Sequence, residues 1–301
     1  MAPKQKIIVI VGPTASGKSE LAIQIAQKYN GEIISADSRQ VYRGLDIGTA
    51  KVPGAWRNGT FYYKKISHHC IDIVSPKKIY SVAEYQKHAN AAIQSIIQKR
   101  KIPILVGGTG LWIDAVVYGW HLPHVLPDQK LRTRLEKKTP AQLLAMLKKL
   151  DPQRAGTIEQ KNPRRLIRAI EIATTLGSVP TLEKCSLYGT LIFGLNPTLA
   201  ILERRIRDRA QKMIQHGLIA EIKKLLVSRV GKKRIREFGF EYRAGLAYLE
   251  EAMDGKKLRE HIVRDTRAYA RRQMTWFKRN QNITWNPPMR AMHKQIRAFL
   301  R

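Results

Sequence analysis

Cysteine is scarce in this 301-residue chain: only Cys70 and Cys185 occur, far apart and without metal-type spacing. That excludes a disulfide framework or a zinc finger and fits a reducing cytoplasm, with both thiols read as isolated buried groups. Long apolar runs are also lacking. Ile7–Val11 is strand-length, far below the roughly 20 residues of a membrane-spanning helix. It is too short for a signal-peptide core, and no small-residue cleavage site follows it. A cytoplasmic protein without membrane association is therefore expected. The third shortage is acid: 23 Asp+Glu stand against 55 Lys+Arg, a net charge of +32 at pH 7. The excess runs through the whole chain and is heaviest after residue 190, so it is not a detachable basic tail. Such a balance bears on partners rather than fold, and it points to a polyanion.

What is present supports a sizeable core. Hydrophobic residues make up 44% of the chain, and its length allows one large domain or a core carrying an insertion. Lys6–Val11 reads as a buried parallel strand, and Ser19–Tyr29 as a helix with Leu21, Ala22, Ile25 and Ala26 on one face. Glu32–Ala36 and Ile102–Val106 are further strands. Between them, Ser81 and Glu84 form a capping box before a stripe of Val82, Tyr85, Ala89, Ile93 and Ile96. This alternation predicts an α/β fold, a parallel sheet flanked by helices. From about residue 120, prolines punctuate short helical stretches, with Asn162-Pro163 a helix start and Gly177 a stop. We read 120–188 as a small all-helical insertion in a core of 1–119 and 189–301. From about residue 120 no strand is expected until Thr190–Gly194, and long basic helices are expected over 198–227 and 257–280.

The strongest chemical signal is Gly12-Pro13-Thr14-Ala15-Ser16-Gly17-Lys18-Ser19, a complete G-x-x-x-x-G-K-[ST] between strand and helix. Its glycines let backbone N–H groups curl around a phosphate, Lys18 adds charge, and the Ser19 hydroxyl suits a magnesium ion. An ordinary P-loop ATPase also places an acid at the end of a core strand. Here Ile102–Val106 ends in Gly107-Gly108-Thr109-Gly110, which serves a ligand's close approach or merely a tight turn. The acid at a strand end beside the P-loop is Asp37, fitted to be a magnesium ligand, a general base or an N-cap. His68-His69 on a strand face opposite ways, so we read them as structural or polar contacts.

Arginines cluster three times. Arg164 and Arg168 share a helix face with Arg165 beside them, and nothing acidic before Glu171 offers a partner. Arg205 and Arg209 share another face. In the last long helix Arg264, Arg267, Arg271 and Lys278 form a charged stripe opposite Val263, Ala270, Met274 and Phe277. Such cations along a surface favour RNA over a small acidic metabolite, although a solvated helix face has the same composition.

The motifs jointly resemble the bacterial tRNA dimethylallyltransferases (tRNA isopentenyltransferases). The likeness runs from Gly12–Ser19 through Ile34–Tyr42, Gly44–Lys51, His68-His69…Asp72, Tyr80–Ala83, Val106–Leu111, Asp151-Pro152 and Asn162–Glu171 to Tyr269–Phe277. The resemblance implies a P-loop NTPase-like fold and transfer of a dimethylallyl group from dimethylallyl diphosphate to N6 of the tRNA adenosine just 3′ of the anticodon. It implies that Gly12–Ser19 hold the diphosphate with Mg²⁺ on Ser19. Lys18 would stabilise charge, Asp37 and Thr109 would act on the attacking amine, and Arg209 would meet the diphosphate. It further implies tRNA contacts from Asp37, Ser38, Arg39, Gln40, Thr109, Arg132 and Arg164–Arg168 (Arg164, Arg165, Leu166, Ile167, Arg168), with the insertion on the anticodon stem and the enzyme a monomer. Phe238–Tyr242 stands where many members have Ala-Ile-Gly-Tyr, so no role is carried over there. No Cys/His pair follows Trp276, unlike the eukaryotic relatives. Two rival readings remain, a transferase acting on free AMP and a P-loop small-molecule kinase, with a non-enzymatic RNA-binding P-loop protein behind them.

Overall fold

The computed structural model describes residues 4–183 and 185–301, and the chain divides at 119/120 and 185/186 into two compact units. In chain order the first elements are β1 (Gln5–Val11), α1 (Lys18–Lys28), β2 (Gly31–Ala36), β3 (Ala55–Arg57), β4 (Thr60–Tyr63), β5 (Ile66–His69), α2 (Val82–Gln98), β6 (Ile102–Gly107) and α3 (Gly110–Val117). The smaller unit holds α4 (Gln129–Leu135), α5 (Pro140–Leu150), α6 (Pro152–Thr157) and α7 (Pro163–Leu176). The chain continues with β7 (Tyr188–Gly194), α8 (Leu199–Gln215), α9 (Leu218–Val227), α10 (Lys232–Glu237) and α11 (Phe240–Leu249). It closes with α12 (Gly255–Phe277), β8 (Ile283–Trp285) and α13 (Met289–Leu300).

In the larger unit one sheet runs in the order β3-β4-β5-β2-β6-β1-β7-β8. Strands β5 to β8 pair in parallel; β3, β4 and β5 make antiparallel pairs at one edge. β1 lies inside the sheet and is covered on both faces, which is why its sequence is an unbroken apolar run. Ile7, Val9 and Val11 enter one core with Tyr85, Ile93, Trp112 and Ile113. Ile8 and Ile10 point the other way, to Leu21, Ile25, Met292 and Ile296. The capping box forms: Ser81 Oγ accepts from Glu84 N at 3.2 Å and Glu84 Oε2 accepts from Ser81 N at 2.8 Å.

Several expectations change. β7 starts at Tyr188, because the chain from Tyr188 is paired to β1 from Gln5 onward, ahead of the apolar run that marks a strand in sequence. The single helix expected over 198–227 is two, broken where Gly217 takes φ 102°. The buried face of α12 is Leu258, Ile262, Thr266, Ala270, Gln273 and Phe277; Val263 and Met274 are only half-buried, and two polar residues face inward. Cys70 is buried, its thiol pushed up to about 12 by burial, but Cys185 is exposed.

In the smaller unit, three of the prolines that punctuate the sequence (Pro140, Pro152 and Pro163) each start a helix, at α5, α6 and α7. Thr139 and Gln142 form a second capping box. Asp151 caps α6 at Arg154 N (2.8 Å) and also accepts from Val179 N (2.8 Å), tying the chain beyond α7 back to it. Leu135, Leu143, Leu147, Ala155, Leu166 and Ile170 make its core. Among the described residues no helix is long and apolar enough to cross a membrane.

Candidate active site

β1, β2 and β6 pair side by side in parallel, so their C-terminal ends, with that of β7, share one edge of the sheet. The loops leaving them carry the P-loop, Asp37 and Gly108-Thr109, and a crevice opens there, as the strand-end rule requires. Its lining includes Thr14, Lys18, Ser19, Asp37, Arg39, Gln40, Gly107, Gly108 and Arg209.

The P-loop curls because Gly12 (φ 150°), Ala15 (φ 62°) and Gly17 (φ 96°) leave the right-handed region. Helix α1 begins directly after Gly17, so its free N–H groups and dipole face the crevice. Lys18 Nζ donates to Pro13 O at 2.8 Å. Burial pushes the Lys18 ammonium down to about 8, with Asp37 opposing the shift and Arg209 adding to it. Affinity for a phosphate ligand should therefore be full well below pH 8 and fall as pH rises past it, by up to tenfold per unit. Titrating inorganic diphosphate binding between pH 7 and 9.5 checks this; Lys18→Met should flatten the profile.

Asp37 acts first as a cap. Its Oδ1 accepts from Arg39 N at 2.9 Å and Gln40 N at 3.4 Å, closing the turn that leaves β2. Thr109 Oγ1 accepts from Ser38 N at 3.2 Å. Arg209 donates to Thr49 O at 3.2 Å, and burial lowers its pKa. Arg205 shares that face of α8 and braces the P-loop from behind, donating to Ser16 O at 2.9 Å. Asp37, Thr109, Lys18 and Arg209 thus converge. The other two residues of the turn are already engaged: Gln40 is bonded to Ser35 Oγ (3.1 Å) and Thr49 O (3.4 Å), and Arg39 to Glu241 (2.5 Å).

Three lining residues, Gln273, Tyr269 and Glu241, were given no role from the sequence, and a fourth, His68, was read only as a structural or polar contact. Gln273 Oε1 accepts from Thr14 N at 2.8 Å and its Nε2 donates to Gly108 O at 2.8 Å, so one buried amide joins the P-loop to the β6 loop. Gly108 must lack a Cβ, which would fall 2.1 Å from Gln273 Nε2. His68 faces the crevice as a neutral imidazole, pushed down to about 4 by burial, while His69 points away to Glu32. Glu221 accepts from the N–H groups of Asp46, Ile47 and Gly48 at 2.7–3.0 Å and from Tyr242 Oη at 2.8 Å. It thereby holds the loop that carries Thr49. No sequence pattern announced it, since its partners in that loop lie some 175 residues away.

The remaining expected RNA contacts belong to the smaller unit. Leu166 and Ile167 are buried in its core, so their side chains hold α7 in place and do not face solvent, a correction to the expectation for the whole run 164–168. Glu171 does offer a partner: Arg132 binds it with Nε at 2.9 Å and Nη2 at 2.8 Å, and Arg168 binds it as well. Arg165 pairs with Glu159 at 3.0 Å. Arg164 has no ion-pair partner among the described residues, and it is exposed.

A P-loop at the first strand of a parallel sheet, opposite a strand-end carboxylate rather than beside a magnesium-binding acid of β6, defines a protein of the P-loop NTPase-like class built for a diphosphate or triphosphate. Residues 40–280 match the IPP transferase family, and residues 5–56 match the family described as isopentenyl transferase. The chain belongs to the IPP transferase family. It is 39% identical over 290 residues to a tRNA dimethylallyltransferase of Pelotomaculum thermopropionicum, covering 94% of this chain and 90% of that one. It is 42% identical over 292 residues to that of Carboxydothermus hydrogenoformans, covering 93% and 91%. The crystal structure of the tRNA isopentenylpyrophosphate transferase from Bacillus halodurans superposes with a TM-score of 0.70 at 35% identity, covering 99% of this chain and 96% of that one. A eukaryotic dimethylallyltransferase acting on tRNA gives 0.72 at 29% identity, covering 91% and 70%.

Proposed function

We propose that this enzyme transfers the dimethylallyl group of dimethylallyl diphosphate to N6 of the tRNA adenosine just 3′ of the anticodon, releasing diphosphate. The observation that carries the reading is a carboxylate, Asp37, facing the same crevice as a complete phosphate cradle, with no strand-end acid on β6 to organise water. The diphosphate sits on the P-loop N–H groups, Lys18 and Arg209. The prenyl group lies toward Ala22, Ile71 and Val106, which line the same crevice. The lone pair of N6 attacks C1 of the prenyl group as its bond to the diphosphate oxygen breaks, and the electron pair leaves on diphosphate. Lys18 and Arg209 stabilise that charge where water is scarce. Asp37 takes the proton that N6 loses, and Thr109 holds the amine in line. The adenine reaches the crevice by leaving the stack of the loop, as with other base-modifying enzymes.

Magnesium fits this donor set. The described residues hold no cluster of three His, Cys, Asp or Glu, so the ion's ligands would be the Ser19 hydroxyl, the diphosphate oxygens and water, the coordination magnesium favours. It would supply charge neutralisation to the leaving group. The arginine face of α7 and its neighbour Arg132 would meet the phosphates of the anticodon stem, with Glu171 keeping two of these guanidinium groups in fixed positions. We place the enzyme in the cytoplasm as a monomer.

The test is direct. Protein, Mg²⁺ and dimethylallyl diphosphate are incubated with unmodified tRNA or with free AMP, and nucleosides are read by mass spectrometry. One added C5H8 on the tRNA alone is expected. Addition to AMP alone, or to neither, overturns the reading. Binding of tRNA should also weaken at least about tenfold between 50 and 200 mM salt, since phosphate contacts release counterions. A flat response would remove the basic surface from recognition.

A further inference from the structure

Asp37 is not alone with its cations. Its carboxylate acts through space on Lys18, on Arg209 and on Arg39, two residues along the same turn. Left to itself, a guanidinium on that turn would swing onto the Asp37 carboxylate and tie up the lone pairs a proton acceptor needs. The fold prevents this. Arg39 Nη1 donates to Glu241 Oε2 at 2.5 Å, where the Glu241 side chain is 5% exposed. The guanidinium lies over the rings of Phe240 (4.9 Å) and Tyr269 (5.4 Å). It rests against Gly239, whose φ is +140° and on which a Cβ would fall 2.3 Å from Arg39 Cζ. Gly239-Phe240-Glu241 is thus one seat for one side chain.

A buried ion pair is weak grounds for a stability role, because apolar residues of similar size fill such space as well or better. The seat has a chemical use instead. We propose that Glu241 is a positioning residue: it holds Arg39 off Asp37 and so keeps the carboxylate available to the attacking amine. Resting on the prenyl-transfer reading above, the proposal assigns Glu241 no contact with substrate. It follows that losing Glu241 lowers turnover without weakening the donor, since an unbalanced Arg39 leaves the crevice more positive toward diphosphate.

The experiment uses the full chain with dimethylallyl diphosphate and tRNA. Glu241→Gln should lower kcat roughly ten- to a hundredfold while KM for the diphosphate stays within about twofold or falls. Arg39→Met removes the cation that Glu241 restrains, so adding Glu241→Gln to Arg39→Met should change kcat less than about twofold. Wild-type kcat in Glu241→Gln, a rise in KM in step with the loss, or a further tenfold loss in the double variant each overturns the proposal. Should Glu241→Gln fail to fold, the comparison of Arg39→Met with the double variant decides alone. Failure of the wild-type chain to prenylate tRNA would instead sink the reading on which this rests.

Discussion

Asp37→Asn is expected to lower kcat by roughly 10²–10⁴ while leaving the thermal midpoint close to wild type. The reason lies in the two jobs of this side chain. The Oδ1 that accepts from Arg39 N and Gln40 N survives as an amide oxygen, so the turn stays closed. What disappears is the charge and the basic lone pair that receives the N6 proton. Asp37→Ala should lose the turn as well, at a further cost of about 0.5–2 kcal/mol of stability, by analogy with other capping residues. The pair of variants therefore separates chemistry from architecture. Single-turnover rates with both substrates saturating, read beside melting curves, make the measurement. An Asn variant with near-wild-type turnover would remove Asp37 from the proton transfer and leave it only as a cap.

Gln273→Leu should be the most damaging substitution away from the reacting atoms. It leaves the buried Gly108 carbonyl without a partner, at about 1–3 kcal/mol, and frees the half-buried Thr14 N–H at a smaller cost, so stability should fall by roughly 1–4 kcal/mol. Because those groups belong to the P-loop and the β6 loop, the loss should extend to the donor, with KM for dimethylallyl diphosphate rising. Gln273→Glu makes the sharper test. It keeps an acceptor for Thr14 N, loses the donor to Gly108 O, and sets a negative charge beside the phosphate cradle. Its KM for the donor should rise more than its stability falls. Unchanged melting and donor binding in both variants would show that the amide joins nothing of consequence.

Local chemistry was legible in the chain because it is written in adjacent residues. The unbroken β1 run, the P-loop glycines, the Ser81–Glu84 box and the Asn162-Pro163 start each depend on neighbours within a few positions, and each forms. Asp37 could be placed at the crevice, since a parallel strand delivers its C-terminal residue to that edge whatever the side chain. Its choice among roles could not be read, and the structure shows that capping is one of them. The antiparallel β3–β4 edge hairpin and the α13 lid over Ile8 and Ile10 carried little local signal, being short or amphipathic in ordinary ways. Helix breaks such as Gly217 were hidden by the strong helix formers on either side.

By itself, the sequence determined the fold class, the phosphate cradle, the excess of positive charge and the family, all of which rest on residue type and short spacing. Tertiary structure alone decided which polar residues of distant segments share the crevice. Gln273 and Tyr269 lie on a helix that reads as an ordinary amphipathic one. Glu241 and Glu221 carry no local signal in the sequence, and Leu166 and Ile167 read as part of a basic RNA-binding run. Burial and partnership depend on what packs across 200 or more residues of chain, as in the bonds from Glu241 to Arg39 and from Gln273 to Thr14. A buried polar group must find its hydrogen bonds wherever the fold brings them, and that choice is made in space rather than along the chain.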